Sequence, residues 1–184
     1  MTLFNFNENG YDLRIVIFLA IILIIAVYTD IKKKRIPNYL TFTGVLMGLF
    51  FHFLEEGLRG LIFSVHGAVL GMALLFIPYI IGGMGAGDAK LMGAIGAFLG
   101  PKGVFIAFLS SAIVGGIYAL ILLVLHGYIK DTLLRYGAII KTYLFTKKVI
   151  YVPPSQKEQK PKLSYGVAIA IGTIISIVFF QKFM

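Results

Sequence analysis

The sequence predicts an all-α polytopic membrane protein: six transmembrane helices, with a basic amphipathic cytoplasmic segment before the last. Three observations predict it. Hydrophobic residues make up 59% of the 184 positions, and the mean hydropathy is +0.91. Long runs such as Ile15–Thr29, Leu61–Ile81 and Val104–Leu125 carry almost no charge, which suits lipid as the solvent. The basic residues also divide unevenly between alternate loops.

Taken in order, the expected spans are 13–29, 39–54, 61–81, 89–99, 103–125 and 163–180, in a single membrane domain over 1–184. The segment before the first span carries Glu8 and Asp12 and lacks the basic start of a signal peptide, so that span is expected to be retained. Of the 17 Lys and Arg residues, Arg14, Arg59, Lys102 and Lys182 fall on one side and all the others on the opposite side. The positive-inside rule places the richer side in the cytoplasm and both termini outside. The fourth span is short, rising about 16 Å as an ideal helix. A re-entrant turn there would send the basic residues of 130–162 outward, against the charge bias, which favours six crossings. In the loop 126–162, Ile129, Leu133, Tyr136, Ile140 and Leu144 recur at helical spacing with lysines between them. This predicts a helix lying on the inner surface, with anionic headgroups beneath the lysines. The formal charge of +9 is therefore an orientation signal, and no nucleic-acid partner is expected.

The pairs Gly44/Gly48, Gly67/Gly71 and Gly96/Gly100 have the spacing of close helix packing. There is no cysteine, which removes disulfides, thiolate metal sites and a cysteine nucleophile. His52, His66 and His126 lie in or near different spans and form no H-E-x-x-H, and Ser110-Ser111 lacks a credible base. Neither a metal nor another cofactor is expected. The glycine-rich run 82–87 is followed by Asp88, where a dinucleotide fingerprint needs glycine, and no Gly-Lys-Ser/Thr closes a P-loop.

Six of the eight acids sit in polar stretches. Asp30 ends the first span and Asp88 begins the fourth, so alternation of the spans brings both to the cytoplasmic boundary although they are 58 positions apart. Asp30 precedes Lys32–Arg35 and could be a solvated partner of that cluster. Asp88 could be a helix cap, yet the glycines before it are costly to order and allow a second chain to approach closely. Ionisable residues at this depth point to function. Two carboxylates about 5 Å apart at an effective dielectric near 20 repel by roughly 3 kcal/mol. That is about two pKa units, enough to hold one shared proton on the pair. One carboxylate could then take a proton from water while the other, protonated, polarises a scissile carbonyl. Lys90, two residues after Asp88, points about 200° away from it on a helix; it is expected at headgroups, substrate or loop backbone.

Asp30 with Arg35-Ile36-Pro37-Asn38, then Gly85-Ala86-Gly87-Asp88-Ala89-Lys90-Leu91, and late Tyr165-Gly166, resemble the prepilin peptidase (type IV leader peptidase) family of GxGD membrane aspartic proteases. The resemblance implies that Asp30 and Asp88 are catalytic, and that Gly85, Gly87 and Lys90 bind substrate or shape the site. It implies prepilins or prepilin-like proteins as substrates, cut on the cytoplasmic side of an inner membrane after a short basic leader. The inner surface is basic too, so the apolar helix and extended cleavage segment are expected to dominate recognition. Lacking the cysteine-bearing N-terminal region of larger members, the chain resembles a minimal form in which N-methylation is not expected. Ser164 stands where the family often has proline. The competing readings are a non-catalytic scaffold or pilin-binding relative, and a proton-coupled transporter, which would more naturally place a carboxylate at mid-membrane.

Overall fold

The computed structural model describes residues 12–125 and 164–183, together with positions 127, 134, 137, 141 and 142. The described residues are helical, with no strand among them. Five helices follow in order: α1 Leu13–Lys33, α2 Asn38–Glu56, α3 Leu58–Ile80, α4 Ala86–Leu125 and α5 Tyr165–Phe183. Helix α4 is broken at Gly100 (φ 69°, ψ −176°), ahead of Pro101. The expected segments 89–99 and 103–125 are its two arms, and the other apolar segments fall on α1, α2, α3 and α5. Among the described residues three helices, α1, α3 and α4, are long and apolar enough to cross a membrane. The expected surface helix, with Ile129, Leu133, Tyr136, Ile140 and Leu144, lies outside the described residues.

By its contacts the chain divides into two compact units, Met1–Gly115 with Ser164–Met184, and Gly116–Leu163. Within the first, α1 packs on α2 and α5, and α2 packs on α3. Its centre is the first arm of α4, in which every residue from Leu91 to Gly100 is buried. This accounts for the shortness of the segment. A helix wrapped by other helices does not have to match the bilayer on its own.

Glycines let the neighbours come this close. A Cβ on Gly67 would run into the Gly96 carbonyl oxygen, and one on Gly96 into that of Gly67. Gly48 lies against the backbone of Ala97, and Gly71 against the carbonyl of Met92. Two of the three expected glycine pairs thus hold α2 and α3 against the buried arm, the packing that small residues permit in membranes.

The break at Gly100 has a polar consequence. Pro101 has no N–H to offer the Ala97 carbonyl, and the kink interrupts the ladder beyond it. Both exposed acceptors are met from outside: Ser64 Oγ donates to Ala97 O at 2.7 Å, and His52 Nε2 lies 2.9 Å from Phe98 O. With a carbonyl opposite, His52 carries its proton on Nε2. Ser64 is fully buried and His52 is 9% exposed, so no water replaces either donor easily. Ser64→Ala or His52→Leu is expected to cost about 1–3 kcal/mol by leaving a buried carbonyl unmet, read as a lower midpoint of thermal unfolding in detergent.

At one end of the unit, Asp12 caps α1 by accepting from Arg14 N at 2.8 Å. Arg14 also reaches Glu55 at the end of α2, at 3.2 Å. At the opposite end of α1 lies Asp30.

Candidate active site

Helix α1 closes on Lys34, a left-handed residue (φ 51°) whose N–H donates to the Asp30 carbonyl at 2.9 Å. Asp30 is therefore in the last full turn, and the residue is only 6% exposed. Its carboxylate oxygen Oδ2 accepts the backbone N–H of Gly166, in the first turn of α5, at 3.0 Å. A Cβ on Gly166 would lie 3.0 Å from that oxygen, so glycine is what lets the α5 backbone come so near.

Asp88 arrives by a different route. Helix α3 ends in a Schellman turn: Gly82, at φ 79°, donates to Tyr79 O, and Gly83 donates to Pro78 O at 3.0 Å. The chain then turns into α4, with Asp88 as its third residue. Asp88 Oδ2 accepts the N–H of Gly85 at 3.1 Å, the bond an acid at this position makes back to a helix start. Gly87 faces Ile36, whose Cβ would lie 3.1 Å from a Cβ placed there. The glycine run thus has internal tasks that its composition alone did not reveal: Gly82 closes α3, Gly85 orients Asp88, and Gly87 lets α4 sit against the segment joining α1 to α2.

The two aspartates line one cavity of about 430 Å³, with Lys34, Arg35, Ile36, Pro37, Asn38, Gly85, Ala86 and Gly87. Each acid thus receives one glycine N–H and keeps acceptor capacity for something else. A cavity of this size has room for a water, about 30 Å³ in the liquid, beside a stretch of extended backbone.

Of the residues singled out from sequence, Asp30, Asp88, Gly85 and Gly87 meet at this cavity. Lys90 does not line it. Its Nζ donates to Asn38 Oδ1 at 2.8 Å, and the two residues form part of a neighbouring apolar groove with Tyr39, Phe42 and Met72. The lysine reaches neither Asp88 nor loop backbone but the first side chain of α2, which borders both cavities. Lys34 Nζ donates to Ser164 Oγ at 2.6 Å, a contact across 130 positions that no local pattern signals. Tyr165 reaches Ser111 O at 3.3 Å, and the Ser111 hydroxyl is engaged within its own helix, donating to Ala107 O. Among the described residues no group of His, Asp and Glu is arranged to hold a metal ion.

Comparison with known proteins adds a family. The sequence model of the Type IV leader peptidase family matches residues 17–120, a stretch that contains both aspartates. The chain is 31% identical over 135 residues to a prepilin leader peptidase/N-methyltransferase of Aeromonas salmonicida, covering 70% of this chain and 46% of that protein. Proteins of the same name from Neisseria gonorrhoeae and Bacillus subtilis are 30% identical over 118 residues and 36% identical over 110. In those cases 60% and 56% of this chain are covered, and 41% and 42% of the relative. The chain therefore spans a little under half the length of these relatives. No solved structure matches it. With its apolar helices and a match that runs through most of its length, this chain belongs to the Type IV leader peptidase family.

Proposed function

We propose that the chain is a membrane aspartic endopeptidase that removes the short leader of prepilins or prepilin-like proteins at the cytoplasmic membrane boundary. The observation that carries this reading is the shared cavity of Asp30 and Asp88, each carboxylate oriented by one glycine N–H. Family membership supports the substrate class, and the relatives' names supply the word prepilin.

In the proposed reaction one carboxylate is ionised and the other protonated. The ionised one takes a proton from water as the water oxygen bonds to the scissile carbonyl carbon, while the other gives its proton to the carbonyl oxygen. The tetrahedral species collapses by breaking its C–N bond: the proton taken from water passes to the departing amine, and a hydroxyl on the tetrahedral carbon returns a proton to the second carboxylate as the new carboxyl group forms. The proton count closes within the pair, so no cofactor is required. Methyl transfer, the second activity in the relatives' names, is not part of this proposal.

The topology we propose with it is one membrane domain of six crossings in the cytoplasmic membrane, both termini outside and the acid-lined cavity inside. The distribution of Lys and Arg supports that orientation. The substrate's apolar helix would lie in the bilayer, and its cleavage segment would extend into the cavity past Gly85 and Gly87. Lys90 would shape the site through Asn38 and not through either acid. Losing that one hydrogen bond, about 1 kcal/mol, is expected to slow cleavage less than about tenfold in Lys90→Met.

The direct test is co-expression with a panel of prepilins and mass spectrometry of the products. A shortened pilin with a new N-terminus immediately before its apolar helix is the expected result. An inserted, folded protein that leaves every prepilin in the panel intact would overturn the peptidase reading.

A further inference from the structure

Around Asp30 the hydrogen bonds form a closed circuit. The Asp30 carbonyl accepts the Lys34 N–H at 2.9 Å. The Lys34 ammonium donates to Ser164 Oγ at 2.6 Å. Two residues beyond Ser164, the Gly166 N–H returns to Asp30 Oδ2 at 3.0 Å. Ser164 is 3% exposed, and its own carbonyl accepts the Val167 N–H at 3.3 Å, so it is fixed at the start of α5. Lys34 is the only non-glycine with positive φ among the described residues. That conformation directs its side chain back across the end of α1, where a continued helix would have carried it away.

We propose that Lys34 and Ser164 are positioning residues for Asp30: their hydrogen bond clamps the first turn of α5 to the end of α1 and so holds the Gly166 N–H on the Asp30 carboxylate. This inference rests on the peptidase reading. Asp88 needs no such clamp, because its orienting donor, Gly85, is three residues away on its own chain segment. Asp30 depends on a donor 136 positions distant, so the ends of two helices must be fastened before its geometry is set. Neither Lys34 nor Ser164 is required to touch the reacting atoms for this role, and the first turn of α5 becomes part of the catalytic apparatus only through them.

The circuit can be opened at either side without disturbing the core. Ser164→Ala removes the acceptor and only one atom of volume. Lys34→Gly removes the ammonium while suiting the left-handed backbone better than lysine does, so loss of function there cannot be ascribed to a strained helix end. The full chain, reconstituted in lipid vesicles, would be assayed on a prepilin with a basic leader, glycine at the cut and an apolar helix following. Both variants are expected to lower kcat by about ten- to a hundredfold, the cost of a small misplacement of a reacting group, with KM within about twofold. Ser164→Thr, which keeps the hydroxyl, is expected to restore kcat, and Lys34→Gly with Ser164→Ala to be no slower than either alone, as for groups acting as a unit. A Ser164→Ala protein with wild-type kcat overturns the clamp, as does a double variant whose losses multiply. Loss in Lys34→Gly alone would mean that the ammonium acts through its charge on the cavity and not through Ser164. In the same assay two controls separate the claims: wild type that leaves the prepilin intact overturns the peptidase reading, and Asp30→Asn that cleaves like wild type overturns the catalytic role of Asp30 whatever becomes of the clamp.

Discussion

Asp30→Asn and Asp88→Asn are each expected to lower leader cleavage by about a thousandfold or more, the range for loss of a general acid or base. Asparagine preserves the shape of aspartate, and its side-chain oxygen can still accept the N–H of Gly166 or Gly85. The fold should therefore survive, with unchanged insertion and an unfolding midpoint close to wild type. What is lost is the ability to take up and return a proton. Glutamate is a harsher replacement structurally, because Asp30 is almost wholly buried and its oxygen already touches the α5 backbone. An extra methylene there displaces either the carboxylate or the helix. Asp30→Glu is accordingly expected to lose both activity and stability, whereas the asparagine variant loses activity alone. Cleavage is read as the fraction of prepilin shortened over time, and stability from thermal unfolding of the same preparations.

The second large effect is expected in the packing that builds the site. Gly96→Val places a branched side chain where the backbone of Gly67 already lies, and neither neighbour can move as a flexible side chain could. Overpacking of this kind costs about 1–3 kcal/mol and occasionally more; backbone meeting backbone puts Gly96→Val at the upper end. Separation of α3 from the buried arm would also shift Asp88, which starts that arm. Expression, unfolding midpoint and cleavage should fall together. Gly116→Ala supplies the contrast. Nothing lies within 4 Å of a Cβ at that position, and alanine favours a helix over glycine by about 0.5–1 kcal/mol, so this variant should equal or exceed wild type in stability. The pair would separate glycines that permit contact from those that merely occupy a helix.

Much of this arrangement is legible in the chain because lipid makes strong demands on sequence. Uncharged runs marked the helices, and counting their alternation placed Asp30 and Asp88 at one end despite their separation. The glycine pairs at spacing four marked helix contacts. What was not legible depends on partners far apart in sequence. That His52 and Ser64 serve carbonyls freed at Gly100–Pro101 follows only once α2 and α3 are seen against α4. The links from Lys90 to Asn38 and from Lys34 to Ser164 are single long side chains whose reach covers several candidates. The glycines at 82–87 also carry tasks within this chain, closing α3, orienting Asp88 and seating α4 on Ile36, that their composition alone does not reveal. Proline and glycine signal that the backbone turns, not what the turn accomplishes.

The measurement closest to the central claim is leader removal by the purified chain in lipid vesicles, wild type beside Asp88→Asn, with the product mass read by spectrometry. Wild type is expected to release the leader at one bond just before the apolar helix, and Asp88→Asn, equally folded, to leave the prepilin intact. An Asp88→Asn protein that cuts the same bond at the wild-type rate would contradict that claim.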